Sequence, residues 1–346
     1  ILGHMRYSTN TFLEKNNYTA ISKIHSIQPL EIDKELDIYL AHNGNLPNLA
    51  RNIKKLGLES FYSANLLPET ASDTFIFKAI WNKMVGELPM QHNKRMINFF
   101  FVTEYIKNVI KSVVGSYACI MTYSDERQSL ANSPTSSDVF SVVENWNDSG
   151  TSSISSSSYS VEDDNDTESS RNHYIFGFRD RFGYKPLSIG YISGNYCFIS
   201  ESVQLGSSGK LICDVAPGEI WMIKNNEAPL RLASMKDEGV IVASRPFVCS
   251  MESIYFMRSE SVVFGGTTSV HNFRRRIGME LSKAEKTISK DAVIAFVPES
   301  ARSMAEGFAE ALGKTAYGGL IVKIENVRSF IENNDESRIG KLKRKF

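Results

Sequence analysis

The feature that most limits the fold is the stretch from about Ser124 to Asn172. It is rich in Ser, Asp, Asn and Glu, with a serine run at 155–158 and an acidic run from Glu162 to Asp166. Low hydrophobicity and like charge keep such a segment out of a packed core, so it reads as a disordered insertion. Its few apolar residues, among them Val139, Phe140 and Val142, could make a short docking element. The core must therefore come from the residues on either side. Ser116–Tyr123 and Tyr174–Phe178 flank the insertion, and both read as strands. The pattern predicts that they pair as a hairpin from which the insertion bulges. Joining strands across a long loop adds only a logarithmic entropy cost, so the fold tolerates it.

At 346 residues the chain is long enough for two domains. Upstream, Leu36–Ala41 reads as a strand and Asn43-Gly44 as a tight turn needing positive φ. A helix follows, with Asn45 as cap, Pro47 in its first turn and Gly57 as stop. Ser72 or Asp73 caps a second helix that buries Phe75, Ile76, Ala79, Ile80 and Trp81. A longer helix is expected over Asn93–Val114, and further strands at 186–191, 196–200 and 219–224. After about Ala243 the pattern becomes α-β-α: helix 272–289, strand Asp291–Val297, then helix Ala301–Leu312 stopped by Gly313. The near-continuous apolar run Ala292–Val297 is that of a buried parallel strand. These readings divide the chain at 1–243 and 244–346, with the second part an incomplete α/β sheet whose uncovered apolar face implies poor solubility.

Lys plus Arg and Asp plus Glu number 39 each, so no overall charge draws the chain to nucleic acid or to a membrane. The basic run Lys341–Lys345 reads as a solvated tail or helix face. No apolar run is long enough to span a bilayer. Cys119, Cys197, Cys213 and Cys249 are dispersed, with no Cys-x-x-Cys pair, which fits a reducing, cytoplasmic setting better than a disulfide scaffold.

Short blocks in a fixed order carry the chemistry. Gly-His-Met-Arg-Tyr-Ser-Thr (3–9), Gln28-Pro29, Leu-Ala-His-Asn-Gly-Asn-Leu (40–46) and Ser-Asp-Thr (72–74) together resemble the class II glutamine amidotransferases. Taken singly, an Asn-Gly pair is a turn and an Asp ahead of a helix is a cap. Gly115-Ser-Tyr-Ala-Cys, the Arg-Asp-Arg-Phe-Gly-Tyr-Lys-Pro-Leu string (179–187), Ser200-Glu-Ser and Val215-Ala-Pro-Gly-Glu extend the likeness. Asparagine synthetases share the 179–187 string but need a Ser-Gly-Gly-x-Asp-Ser loop, which does not occur here. Cys-Ser-Met-Glu-Ser-Ile-Tyr-Phe-Met-Arg-Ser-Glu-Ser (249–261), Ser269-Val and Val-Pro-Glu-Ser-Ala (297–301) resemble the iron–sulfur type of the amidophosphoribosyltransferase family.

That resemblance implies an α+β fold: a four-layer αββα N-terminal-nucleophile sandwich, incomplete at its N-terminus, followed by the first part of an α/β phosphoribosyltransferase domain. It implies glutamine hydrolysis, with ammonia passed to phosphoribosyl pyrophosphate to give phosphoribosylamine, the first committed step of purine synthesis. Arg6, whose planar fork suits a carboxylate, and Asp73, which suits an ammonium, would hold glutamine. Tyr7 and Thr9 would lie on or beside the closing loop, and Asn43 with Gly44 would form the oxyanion hole. Cys249 would be one ligand of an iron–sulfur cluster, which needs four thiolates. Magnesium would accompany phosphoribosyl pyrophosphate, purine nucleotides would act as feedback inhibitors, and the assembly would be a homo-oligomer, with no nucleic-acid or membrane partner. Several departures stand beside the likeness. No thiol precedes Arg6, no phosphoribosyl-pyrophosphate loop is present, and 10–27 is longer than the pattern. Phe75 stands where an acidic residue is common, and 323–331 keeps only Arg328-Ser-Phe-Ile of the flexible-loop pattern. The expectation is an internal fragment, inactive alone. The alternatives are a degenerate, non-catalytic relative that regulates an active subunit, and another class II amidotransferase such as a sugar-amidating one.

Overall fold

The computed structural model describes residues 2–4, 28–64, 72–91, 94–95, 97–126, 171–285, 287–299, 301–324 and 335–345. The first strands are β1 (Leu30–Asp33) and β2 (Ile38–Asn45), followed by a short hairpin of β3 (Met90–Gln91) and β4 (Lys94–Arg95). Then come β5 (Ser116–Glu126), β6 (Arg171–Arg179), β7 (Ser188–Ile192), β8 (Asn195–Ile199), β9 (Lys210–Asp214), β10 (Glu219–Lys224) and β11 (Leu230–Ser234). Six of them form one sheet in the order β1-β2-β5-β6-β10-β11, every neighbour antiparallel. The expected hairpin is its centre: β5 and β6 pair continuously from Ala118↔Arg179 to Glu126↔Arg171. Only the ends of the Ser/acidic insertion fall within the described residues.

The period-2 alternation of β6 sends Tyr174, Phe176 and Phe178 to one face of this sheet and Ile175 to the other. Helices α1 (Leu49–Leu56), α2 (Glu59–Ala64), α3 (Phe75–Glu87) and α4 (Phe99–Ser112) belong to the first face. From α3, Ile76, Phe77, Ile80 and Trp81 pack with Val102, Tyr105, Ile106 and Val109 of α4 against Leu40, Met121 and Phe176. The second face is covered by a three-stranded sheet, β8-β7-β9, through Leu187, Ile189, Phe198 and Val215. A two-residue turn, Ser193-Gly194, joins β7 to β8, with φ of 50 and 81°. Both values are positive, as the right-handed strand twist favours. Helix, sheet and sheet thus give three layers of the expected sandwich among the described residues.

The local readings need three corrections. Asn43-Gly44 is not a turn: both residues lie inside β2, paired with Ala118 and Tyr117, and neither has positive φ. Because β5 offers partners as far as Ser116, ladder pairing overrides the local Asn-Gly preference. The chain reverses later, at Asn48 (φ 63°), so α1 starts at Leu49 rather than after Asn45. Thr74, not Ser72 or Asp73, stands at the N-cap of α3, and it makes no side-chain capping bond. The third helix begins only at Phe99, where Asn98 Oδ1 accepts the Phe101 N–H at 3.0 Å.

Beyond Ala243 the α-β-α run is present. It comprises α5 (Val270–Ala284), β12 (Ile294–Ala295), α6 (Arg302–Ala311), β13 (Ala316–Tyr317) and α7 (Asp335–Lys345). The strand is shorter than expected, but β12 and β13 pair in parallel. Gly313 follows α6 with φ 63°, as a helix stop requires. Helices α5 and α6 cross so closely that a Cβ on Gly278 would strike Met304 O, and one on Gly307 would strike Arg275 O. The basic run lies on α7, which buries no residue. Among the described residues no helix is long and apolar enough to cross a membrane.

Candidate glutamine site

Strand β2 ends in the candidate oxyanion pair. Gly44 is required there by space. A Cβ would strike Ser116 O and the His42 ring, and would lie 2.9 Å from Tyr117 Cα. Asp73, on the loop ahead of α3, turns its carboxylate toward the same strand end, where Oδ2 accepts the Leu46 N–H at 2.9 Å. The block at 3–9 begins beside them: His4 Nε2 lies 3.1 Å from His42 O. Three blocks separated in sequence therefore meet at one strand end. Arg6, Tyr7 and Thr9 lie outside the described residues. Asn43 and Gly44 are part-exposed, as groups that meet a ligand must be. A carboxylate near an amide side chain and a glycine N–H can hold an ammonium while polarising a carbonyl.

Beneath this strand lies a polar layer that motif reading quoted without assigning a role. Gln28 Oε1 accepts the His42 N–H at 2.6 Å, and Gln28 Nε2 donates to Thr74 Oγ1 at 3.1 Å. Thr74 Oγ1 is also 3.1 Å from His42 Nδ1. Thr74 and His42 are buried. A histidine among the core positions Leu40 and Ala41 was the available signal, since a buried polar side chain demands partners.

The 179–187 string is a structural knot behind the site. Asp180 Oδ1 accepts the N–H groups of Phe182 (2.7 Å) and Gly183 (2.9 Å), while Oδ2 accepts that of Tyr117 at 3.0 Å. Tyr117 is the residue paired with Gly44. Burial pushes the Asp180 carboxyl up, and these backbone donors pull it back. Arg179, fully buried, donates to Val215 O (2.6 Å) and Gly183 O (2.5 Å) and stacks 4.3 Å over the Phe264 ring. Desolvation lowers its guanidinium to about 10, so it stays charged at neutral pH.

Cys249 is seated elsewhere, on the far side of this turn: its N–H donates to Tyr184 O at 3.3 Å. Next to it, Lys185 Nζ meets Glu252 Oε1 at 2.6 Å. Among the described residues no three His, Cys, Asp or Glu side chains could hold a metal ion. A four-thiolate cluster is therefore not built by the described surroundings of Cys249. The other thiols are unsuited to attack. Burial raises Cys119 (which faces His42 across the ladder) and Cys197, and pushes Cys213 up to about 11.

No protein-family model matches the chain. Curated relatives do. The amidophosphoribosyltransferase of Archaeoglobus fulgidus is 27% identical over 333 residues, covering 96% of this chain and 54% of that protein. The Bacillus subtilis one is 29% identical over 341 residues, covering 97% and 53%. Over 169 residues, 47% of the chain, the Synechococcus elongatus protein is 35% identical. The chain thus spans about half the length of the curated relatives it matches. Among solved structures, the B. subtilis glutamine phosphoribosylpyrophosphate amidotransferase, complexed with ADP and GMP, superposes with a TM-score of 0.56 at 24% identity. It covers 92% of this chain and 54% of its own. An allosteric regulatory enzyme of purine biosynthesis gives 0.57 at 23% identity, covering 93% and 53%. Motif order, similarity across nearly the whole chain and a shared fold agree: the chain is similar to the amidophosphoribosyltransferases.

Proposed function

We propose that this chain supplies the glutamine-binding part of an enzyme that hydrolyses glutamine and passes the ammonia to phosphoribosyl pyrophosphate. The product is phosphoribosylamine, in the first committed step of purine synthesis. The observation that carries this reading is the convergence of Asn43, Gly44 and Asp73 at the end of β2. Arg6 takes the substrate carboxylate and Asp73 its ammonium, with Tyr7 and Thr9 on the closing loop. The Asn43 amide and Gly44 N–H stabilise the oxyanion that forms when a thiolate attacks the side-chain amide. Residues 1–243 form the amidotransferase part and 244–346 the start of the phosphoribosyltransferase part. Purine nucleotides are the regulators, the enzyme is cytoplasmic and the assembly is a homo-oligomer. Magnesium accompanies phosphoribosyl pyrophosphate outside the described site.

Calorimetric titration with L-glutamine tests the reading. Wild type should bind it in preference to D-glutamine, and Asp73→Asn should lose at least about tenfold, the worth of one charge-assisted hydrogen bond. Equal binding of the two enantiomers would sink it. Cys249 is proposed as one cluster thiolate. Iron and sulfide analysis of a protein that includes the relatives' remaining half checks this, and a cluster that survives Cys249→Ser would refute it.

A further inference from the structure

Asn43 and Gly44 stand on β2, and Asp73 stands on the loop before α3. Their separation is set by whatever joins those two elements. Besides the contact from Leu46 N–H to Asp73, a trio of the buried His42 and Thr74 and the part-buried Gln28 does so. His42 immediately precedes Asn43, and Thr74 immediately follows Asp73. Gln28 bridges the two, accepting from the His42 backbone at 2.6 Å and donating to the Thr74 hydroxyl at 3.1 Å. The third side closes between Thr74 Oγ1 and His42 Nδ1, also at 3.1 Å. The His42 ring is wedged edge-on to Phe77 of α3, with centroids 5.2 Å apart, and its Nε2, together with Ser116 O, leaves no room for a Cβ on residue 44.

Apolar side chains could fill the space of the His42 ring and the Thr74 hydroxyl, whereas the His42 backbone N–H needs the acceptor that Gln28 supplies. What the trio adds is directional: each bond fixes an angle and a distance between the two backbones. We infer that Gln28, Thr74 and His42 are positioning residues, a clasp that sets the oxyanion donors Asn43 and Gly44 at a fixed distance from the ammonium anchor Asp73. The inference rests on the glutamine reading of the site. The clasp touches no substrate atom and acts only through its two neighbours in sequence. Such placement matters because a displacement of about 1 Å at a reacting centre costs on the order of a hundredfold.

The test uses the full 346-residue chain in four forms: wild type, Thr74→Val, Thr74→Ser and Gln28→Leu. Amide hydrogen exchange at 42–46, the thermal midpoint and L-glutamine affinity are measured for each. Thr74→Val keeps the volume and removes the hydroxyl. It should speed exchange at His42 and Leu46 at least tenfold and weaken glutamine at least tenfold, with the midpoint lowered while the cooperative transition is kept. Gln28→Leu should do the same, and Thr74→Ser should restore wild-type values. Unchanged exchange in both Thr74→Val and Gln28→Leu overturns the clasp, as does failure of Thr74→Ser to restore it. If wild type binds no L-glutamine, the functional reading falls. The exchange measurement still decides the clasp: faster exchange at 42–46 upholds it and unchanged exchange refutes it.

Discussion

The six-stranded sheet and the α5–α6 helix pair are closed by different means. Around the sheet, Trp81, Tyr105, Phe176 and Phe178 are almost wholly buried, and Trp81 meets Tyr105 edge-on with centroids 5.1 Å apart. Around β12 and β13, Val293 is 62%, Leu320 66% and Ile324 73% exposed. Polar clamps attach this second region to the first. Within the second region, Arg274 on α5 donates to Ser253 O (2.8 Å) and Met257 O (2.7 Å), bracing the segment that the crossing contacts hold. Lys185 pairs with Glu252, and Glu201 Oε2 accepts from Arg258 N–H and Ser261 Oγ. Apolar burial is large and non-directional, whereas hydrogen-bonded charge is directional and costly to desolvate. The first region therefore carries stability, and the clamps carry orientation.

Substitutions can break or sharpen that contrast. The largest effect belongs to the first core: Trp81→Ala should cost about 3–5 kcal/mol in urea unfolding. Ile294→Ala on the half-covered sheet should cost under about 1 kcal/mol by the same measure, since little apolar area is lost. Similar values for the two would erase the distinction. Next comes the clamp. Glu252→Ala leaves the part-buried Lys185 without its partner, and should cost about 1–3 kcal/mol, the worth of a charged group stripped of its hydrogen bond. Proteolysis should then reveal cuts near 249–262 before any within the sheet. Gly278→Val wedges a side chain into Met304 O and should cost about 1–3 kcal/mol of overpacking. Exchange protection should fall in α5 and α6 while β5 and β6 keep theirs; simultaneous loss in both regions would show one cooperative unit instead of two.

The smallest effect is electrostatic. Hydrogen bonds from Lys107 and Lys111 hold the Glu238 carboxyl below its ordinary range. A depressed carboxylate contributes stability above its unfolded pKa and loses it as pH falls through its folded one. Wild type should thus exceed Glu238→Gln by less than about 1 kcal/mol at neutral pH. Thermal melts should show that gap closing as pH drops through the carboxylate range.

Much of this was legible beforehand. The insertion's flanks named the central hairpin, the spacing of Phe75, Ile76, Ala79 and Ile80 marked a buried helix face, and the α-β-α run read correctly. The strands at 210–214 and 230–234 were missed; both are short and only part-buried, so their alternation is weak. Asn43-Gly44 misled for a clearer reason: a local turn preference of this kind yields when a neighbouring strand offers a full ladder. Asp73 likewise had a capping partner available locally and instead took the Leu46 N–H across the site.

Composition, periodicity and motif order were enough to point to the class of fold, to the family the chain resembles and to the residue types a glutamine site requires, because these depend on chemistry that is local in sequence. The distances were not legible there. That Gly44 must lack a side chain, that Asp180 fixes Tyr117 opposite it, and that Gln28 ties His42 to Thr74 all depend on residues tens of positions apart. Such contacts form only once the sheet and helices have packed, and packing depends on the whole chain at once.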